Sequence, residues 1–271
     1  MITELNILFL NDINNEKLFS YFVNEPEIKD YFNIHNFNGK KKEMLLVPKQ
    51  YLIDSKDTLL ISTTATKNDF DACYLGAMAR SKINFNCNIT YETSLIEFPQ
   101  IDSFTLGMLL SGYKFEKYLN KKNDSMELTF DKSIDISDQQ ATRDAIYFVR
   151  DLVNTPTLDK TPEFFIDEVQ KLIENEEITL DIHNQEWLKQ EGFGGVLGVS
   201  QGSAKEPYLL IGEYNKSAKF KVSIIGKGVL FDTGGYSMKS PSGMETMKTD
   251  MAGAATAWAI IKLAASFKLN I

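Results

Sequence analysis

The feature that most constrains the fold is the alternation of short apolar runs with segments of helical period through the first 130 residues. Leu5–Leu10, Met44–Val47, Leu59–Thr63, Ile89–Thr93 and Met126–Phe130 have strand length and are bounded by Asn, Asp, Lys or Pro. Between them, Phe70, Cys73, Tyr74, Ala77 and Met78 recur at the spacing of one helix face, which predicts a helix over 69–83. A second helix of about 17 residues is expected from Ser103. Strand–helix–strand order requires crossover connections, and these build a mostly parallel sheet covered by helices. No sharp site motif interrupts this half, so a scaffold or regulatory α/β domain is expected.

The rest of the chain repeats the alternation after a punctuated junction. Ala141, Ala145, Phe148, Val149, Leu152 and Val153 predict the buried face of a helix over 137–154, with Ser137 or Asp138 as its N-cap. Asn154-Thr155-Pro156 ends it, and Thr161-Pro162-Glu163 places a proline in the first turn of the next helix. A length of 271 residues accommodates one large or two ordinary domains. The expected organisation is an N-terminal α/β domain over 1–136, a linker helix over 137–155 and a second α/β segment over 156–271, with a strand near Ile178–Ile182.

Composition removes several function classes. With 29 basic and 37 acidic residues the net charge is −8, which gives no support to a general binder of nucleic-acid phosphates. The two cysteines, Cys73 and Cys87, form no CxxC pair, so zinc-ribbon and thioredoxin-type chemistry are out and reduced thiols are expected. His35 and His183 are far apart and no HExxH occurs, so any metal must be held mainly by carboxylates. No basic leader precedes an apolar core, and no apolar run reaches the roughly 18 residues of a membrane span. The expected location is the cytoplasm.

Glycine density rises after Glu191. The run Gly192-Phe-Gly-Gly-Val-Leu-Gly198 misses the dinucleotide fingerprint, because Leu197 stands where the third glycine belongs. It is expected to be a loop with a tight turn or a close backbone approach. Val222–Ile225 is expected to form a buried strand leading into Gly226-Lys227-Gly228, Val229-Leu230-Phe231 and Asp232-Thr233-Gly234-Gly235. Lys227 is not a phosphate-loop lysine, since Gly228 replaces the hydroxyl residue that would bind magnesium. Lys239 follows, and Asp250 falls just before a helix expected over 253–267.

Lys227 and Asp232 are embedded in apolar sequence, where an unpaired charge is costly, so each is expected to have a partner. Loops at the carboxyl ends of strands are also where α/β folds gather ligands. Two aspartates and two lysines in this setting suit metal-assisted hydrolysis. The aspartates offer hard oxygens, and one lysine can coordinate a borderline metal once deprotonated. A second, uncoordinated lysine can polarise a carbonyl and stabilise the oxyanion formed on attack.

Gly226-Lys-Gly-Val-Leu-Phe-Asp-Thr-Gly-Gly-Tyr-Ser-Met-Lys239 and Met247-Lys-Thr-Asp-Met-Ala-Gly-Ala-Ala-Thr256 resemble the leucyl aminopeptidase family of dinuclear-metal peptidases. Val153-Asn-Thr-Pro156 with Thr161-Pro162 is similar to that family's domain junction, and the 192–214 segment to its loop and strand before the site. The first 150 residues match only by architecture. The resemblance implies an N-terminal, mostly parallel, macro-like α/β domain followed by the first part of an α/β metallopeptidase catalytic domain. It implies that Lys227, Asp232 and Asp250 are metal ligands, with Asp232 touching both ions and Asp250 also near substrate. Lys239 matches the catalytic lysine that binds the substrate carbonyl, and Met247 a residue lining the pocket for the N-terminal side chain. Two divalent ions (zinc or manganese), a peptide substrate with leucine preference, and a homo-hexamer are likewise implied.

The family's later Asp-x-Glu-x-Arg segment, which supplies further carboxylate ligands, has no counterpart in this sequence. The expectation is therefore that these residues are part of a longer reading frame and that the 271-residue polypeptide alone is inactive or nearly so. A degenerate binding or assembly module is the non-catalytic alternative. An aspartic protease using Asp232-Thr233-Gly234 is a remote one, because those enzymes are all-β and pair two such aspartates.

Overall fold

The computed structural model describes residues 2–64, 66–120 and 126–271. The chain divides into two compact units, residues 1–140 and 141–271.

The first unit runs β1 (Thr3–Leu10), α1 (Glu16–Phe19), α2 (Glu25–Ile34), β2 (Met44–Val47), β3 (Asp57–Ser62), α3 (Asp69–Lys82), β4 (Cys87–Glu92), α4 (Ile101–Leu110) and β5 (Leu128–Phe130). Its five strands form one sheet in the order β2-β3-β1-β4-β5. β1 pairs in parallel with β3 (Leu5 opposite Asp57) and with β4 (Thr3 opposite Cys87), and β5 is parallel to β4. Only β2 runs antiparallel, as an edge strand on β3. Successive strand residues point to opposite faces. Leu5, Ile7, Phe9, Leu59 and Ile61 enter one core with α3 and α4, whereas Leu8, Leu10 and Leu60 enter a second core with α1 and α2. Burial on both faces explains why these strands read as continuous apolar runs.

One expectation for this unit, the length of α4, is corrected, and one helix packs by an unexpected face. The helix expected over 69–83 is α3, but its apolar stripe is not the face that packs: Phe70 is 81% and Tyr74 51% exposed, and the buried residues are Ala72, Leu75, Gly76 and Ala79. The reason is the closeness of α4. A Cβ on Gly76 would lie 1.9 Å from the Phe104 carbonyl oxygen, and one on Gly107 would lie 1.8 Å from that of Cys73. Two glycines let the helix backbones touch, so the small face packs and the large apolar residues are left outside. α4 itself spans only ten residues. It stops where Ser111-Gly112 replaces the periodic apolar residues, glycine being a poor helix former.

The second unit contains most of α5 (Ser137–Asn154), then α6 (Pro162–Ile173), β6 (Ile178–His183), α7 (Gln185–Gln190), α8 (Gly194–Ser200), β7 (Leu209–Tyr214), α9 (Pro241–Glu245) and α10 (Ala252–Ser266). Ser137 is the first helical residue of α5, not its cap, and the Asp135 carboxylate accepts its N–H at 3.0 Å. Thr161 does cap α6, with Pro162 in the first turn. β6 and β7 form an antiparallel pair. Leu152 of α5, Phe165, Val169 and Ile173 of α6, and Ala255 and Trp258 of α10 make the core together with Met251. Gly212 in β7 lets Trp258 approach: a Cβ there would meet the indole at 2.6 Å.

Residues 192–198 are not a loop throughout. From Gly194 they form α8, and a Cβ on Gly194, Gly195 or Gly198 would meet nothing within 4 Å. Val222–Ile225 forms no strand. A β-branched run becomes a strand only when a neighbour completes its hydrogen bonds, and among the described residues no strand pairs with it. Val222 is 65% and Ile225 95% exposed. Among the described residues, no helix is long and apolar enough to cross a membrane.

Candidate active site

The segment from Gly226 to Asp250 is placed by close backbone approach to the start of α10. A Cβ on Gly226 would fall 2.5 Å from the Ala254 Cα and 2.5 Å from the Gly253 carbonyl oxygen. The absence of both side chains lets the Ala254 N–H donate to the Lys227 carbonyl at 2.9 Å. Lys227 thereby comes to rest beside the residues preceding α10, and its Nζ lies 3.0 Å from the Asp250 carboxylate.

Asp232 to Lys239 is a closed loop. Gly234 and Gly235 adopt φ of +93° and +84°, a region that disfavours side chains. The Lys239 N–H donates to the Thr233 carbonyl at 2.9 Å, closing the turn. Within it, the Asp232 carboxylate accepts from the Gly234 N–H at 2.8 Å and from the Lys239 ammonium. The Lys239 hydrogen bond, aided by the charges of Lys239 and Lys227 and by the Gly234 N–H, holds the Asp232 carboxyl below its usual range despite some desolvation.

The four charged residues singled out in the sequence are thus joined as two lysine–aspartate pairs, Lys227–Asp250 and Lys239–Asp232. The expectation that Lys227 and Asp232 have partners holds. Met247 opens a single 3-10 turn, Met247–Thr249, and its side chain is buried; Asp250 caps that turn and gives its N–H to the Met247 carbonyl at 3.1 Å.

One residue of this region went unnoticed in the sequence. Lys160 is 1% exposed, and its Nζ donates to the Leu152 carbonyl at 2.7 Å and to the Lys248 carbonyl at 2.5 Å. Burial, reinforced by the charge of Lys248, lowers its pKa to about 8. The Thr-Pro pairs on either side were the only signal, and they mark a turn without revealing where the lysine points.

Among the described residues, no three His, Cys, Asp or Glu side chains gather as a metal-holding group. The donors on hand are one amine and two carboxylates. The His35 ring lies tilted against Tyr31, and the His183 ring stacks on Trp187.

Residues 147–271 match the catalytic domain of the cytosol aminopeptidase family. Over that stretch the chain is similar to the cytosol aminopeptidase family. It is 31% identical over 263 residues to a probable cytosol aminopeptidase of Sinorhizobium medicae, covering 88% of this chain and 52% of that protein. A probable cytosol aminopeptidase of Micrococcus luteus is 40% identical over 129 residues, covering 47% of this chain and 25% of its own length. The fold agrees with the crystal structure of the cytosol aminopeptidase from Coxiella burnetii at a TM-score of 0.81, with 22% identity over 99% of this chain and 57% of that one. It also agrees with the bottromycin maturation enzyme BotP in complex with Mn, at a TM-score of 0.77 and 19% identity, again over 99% of this chain and 57% of that one. The chain spans about half the length of the curated relatives first matched.

Proposed function

We propose that this chain carries the lysine–aspartate part of a two-metal aminopeptidase site, which removes N-terminal residues, with a leucine-type preference, from peptides in the cytoplasm. The observation that carries the reading is the pairing of Lys227 with Asp250 and of Lys239 with Asp232 inside the segment that matches the family's catalytic domain. Assembly as a hexamer belongs to the same proposal.

The donor chemistry fits part of such a site. Asp232 and Asp250 offer anionic oxygens suited to zinc or manganese, and Lys227, which lies against Asp250, would offer an amine once deprotonated. These three residues would hold the ions. When bound, divalent ions would polarise the scissile carbonyl and activate the attacking water. Three protein donors are few for two ions, since a single zinc site commonly uses three with water.

The chain's own residues then do the following. Lys239, fixed by Asp232 and by its own N–H on Thr233, presents an ammonium that can donate to the substrate carbonyl oxygen and stabilise negative charge there. Asp232 orients that lysine. Met247, three residues before Asp250 at the start of the same turn, lines the pocket for the N-terminal side chain.

Hydrolysis of leucine 4-nitroanilide with added Mn²⁺ tests the assignment. In a polypeptide that unites this segment with further carboxylate donors, Lys239→Ala lowers kcat by about a hundredfold or more. The 271-residue chain alone shows little or no turnover. Undiminished kcat in Lys239→Ala overturns the role given to that lysine.

A further inference from the structure

Among the described residues, Lys160 is the one charged side chain that is fully buried, and the site chemistry has no use for it. Its position is built by a tight turn after α5. Thr155 directs both its N–H and its hydroxyl to the Asp151 carbonyl at 2.9 and 2.7 Å. The N–H groups of Asp159 and Lys160 both donate to the Pro156 carbonyl, at 3.1 and 3.0 Å, which folds the chain back towards α5. The Leu152 carbonyl belongs to the last turn of that helix, where carbonyls lack intrahelical partners and a cation is favoured. Lys160 fills that role, yet no carboxylate pairs with it among the described residues.

A buried ammonium with no counter-ion is a costly way to cap a helix, and an exposed lysine would do the same more cheaply. What burial adds is the second hydrogen bond. The Lys248 carbonyl lies at the centre of the 3-10 turn that begins with Met247 and ends on Asp250. The same amine therefore ties the end of α5 to the turn that carries two of the proposed site residues. Asp250 has its N–H on the Met247 carbonyl and its carboxylate on Lys227, so displacement of the turn would move that carboxylate.

We propose that Lys160 is a positioning residue that locks the 247–249 turn, through the Lys248 carbonyl, in the conformation that places Asp250 against Lys227. It touches no substrate and holds no metal; its link to metal affinity rests on the reading of Asp250 as a ligand.

The test uses Lys160→Met, which keeps the aliphatic stem and removes both hydrogen bonds. In the folded variant, the amides of Thr249 and Asp250 exchange with deuterium at least tenfold faster than in the wild type, while the Leu188 amide in α7 is unchanged. Unchanged exchange at 249–250 overturns the proposal. Mn²⁺ affinity, read from the paramagnetic signal of the free ion, falls about tenfold in the variant; wild-type affinity there also overturns it. A wild-type chain that binds no Mn²⁺ refutes the metal-site reading instead, and hydrogen exchange then decides the role of Lys160 by itself. If Lys160→Met does not fold, the wild-type protein supplies the answer by reciprocity. Saturating Mn²⁺ should slow acylation of Lys160 severalfold without changing that of exposed Lys171, and an equal rate at Lys160 with and without Mn²⁺ counts against the proposal.

Discussion

Gly226→Ala is the smallest change that should separate the two halves of the site. The new Cβ would lie 2.5 Å from both the Ala254 Cα and the Gly253 carbonyl oxygen, against about 3.4 Å for ordinary contact. Both opposing atoms are backbone at the start of α10, so no side chain can swing aside, and the strands of chain must part by about 0.9 Å. Overpacking of this kind costs about 1–3 kcal/mol. The Ala254 N–H bond to the Lys227 carbonyl, 2.9 Å long, stretches with it and adds about 1 kcal/mol. A loss of about 2–4 kcal/mol is therefore expected in the second unit. Both tryptophans, Trp187 and Trp258, lie in that unit, so their fluorescence in a urea titration reports it selectively. Gly195→Ala is the matched control. It lies in α8 with nothing within 4 Å of its Cβ, and there the helix propensity of alanine should stabilise by up to about 1 kcal/mol. Gly226→Ala should also weaken Mn²⁺ binding, since Lys227 leaves Asp250. Equal unfolding midpoints for Gly226→Ala and the wild type would refute the close approach of this segment to α10.

Other consequences are accessible to simple assays. Gly76→Ala, whose Cβ would sit 1.9 Å from the Phe104 carbonyl oxygen, should destabilise the first unit by about 1–3 kcal/mol even though alanine favours helix, as read from far-ultraviolet circular dichroism in urea. Native protein at pH 8 should take up one alkyl group quickly, at half-buried Cys73, because Cys87 is fully buried and burial pushes its thiol up to about 11; mass spectrometry of tryptic peptides distinguishes the two. Lys160 titrates near 8 when folded and near 10.5 when unfolded, so between these values the unfolded chain binds the extra proton and stability rises with pH. The gain is about 3 kcal/mol at most, appears relative to Lys160→Met, and is complete above pH 10.5; a flat difference across that window would contradict it.

Local pattern carried the first unit well because its information is local. Strands buried on both faces are nearly continuous apolar runs, so the run ending at Leu10 stands out without knowledge of its partners. The helix α3 was legible, but which of its faces packs is set by tertiary structure: Gly76 and Gly107 bring the small face against α4, and each glycine is informative only when the opposing backbone is known. Val222–Ile225 failed as a strand because strand formation needs a neighbour, which no apolar run contains in itself. Of the two lysine–aspartate pairs, only Asp232–Lys239 is local, seven residues apart across a turn shaped by Gly234 and Gly235, whereas Lys227–Asp250 depends on the close approach of Gly226 to α10. Lys160 is 88 residues from its carbonyl partner at Lys248, and no spacing rule spans that distance.

The central claim is that Asp232 and Asp250 are metal-holding carboxylates in this chain, and Mn²⁺ titration followed by the paramagnetic resonance of the free ion tests it most directly. The account predicts saturable binding by the wild-type chain, weakened about tenfold or more by Asp232→Asn and by Asp250→Asn and unaffected by Asp181→Asn on β6. Binding that is absent in the wild type, or equal in the wild type and both site variants, would contradict it.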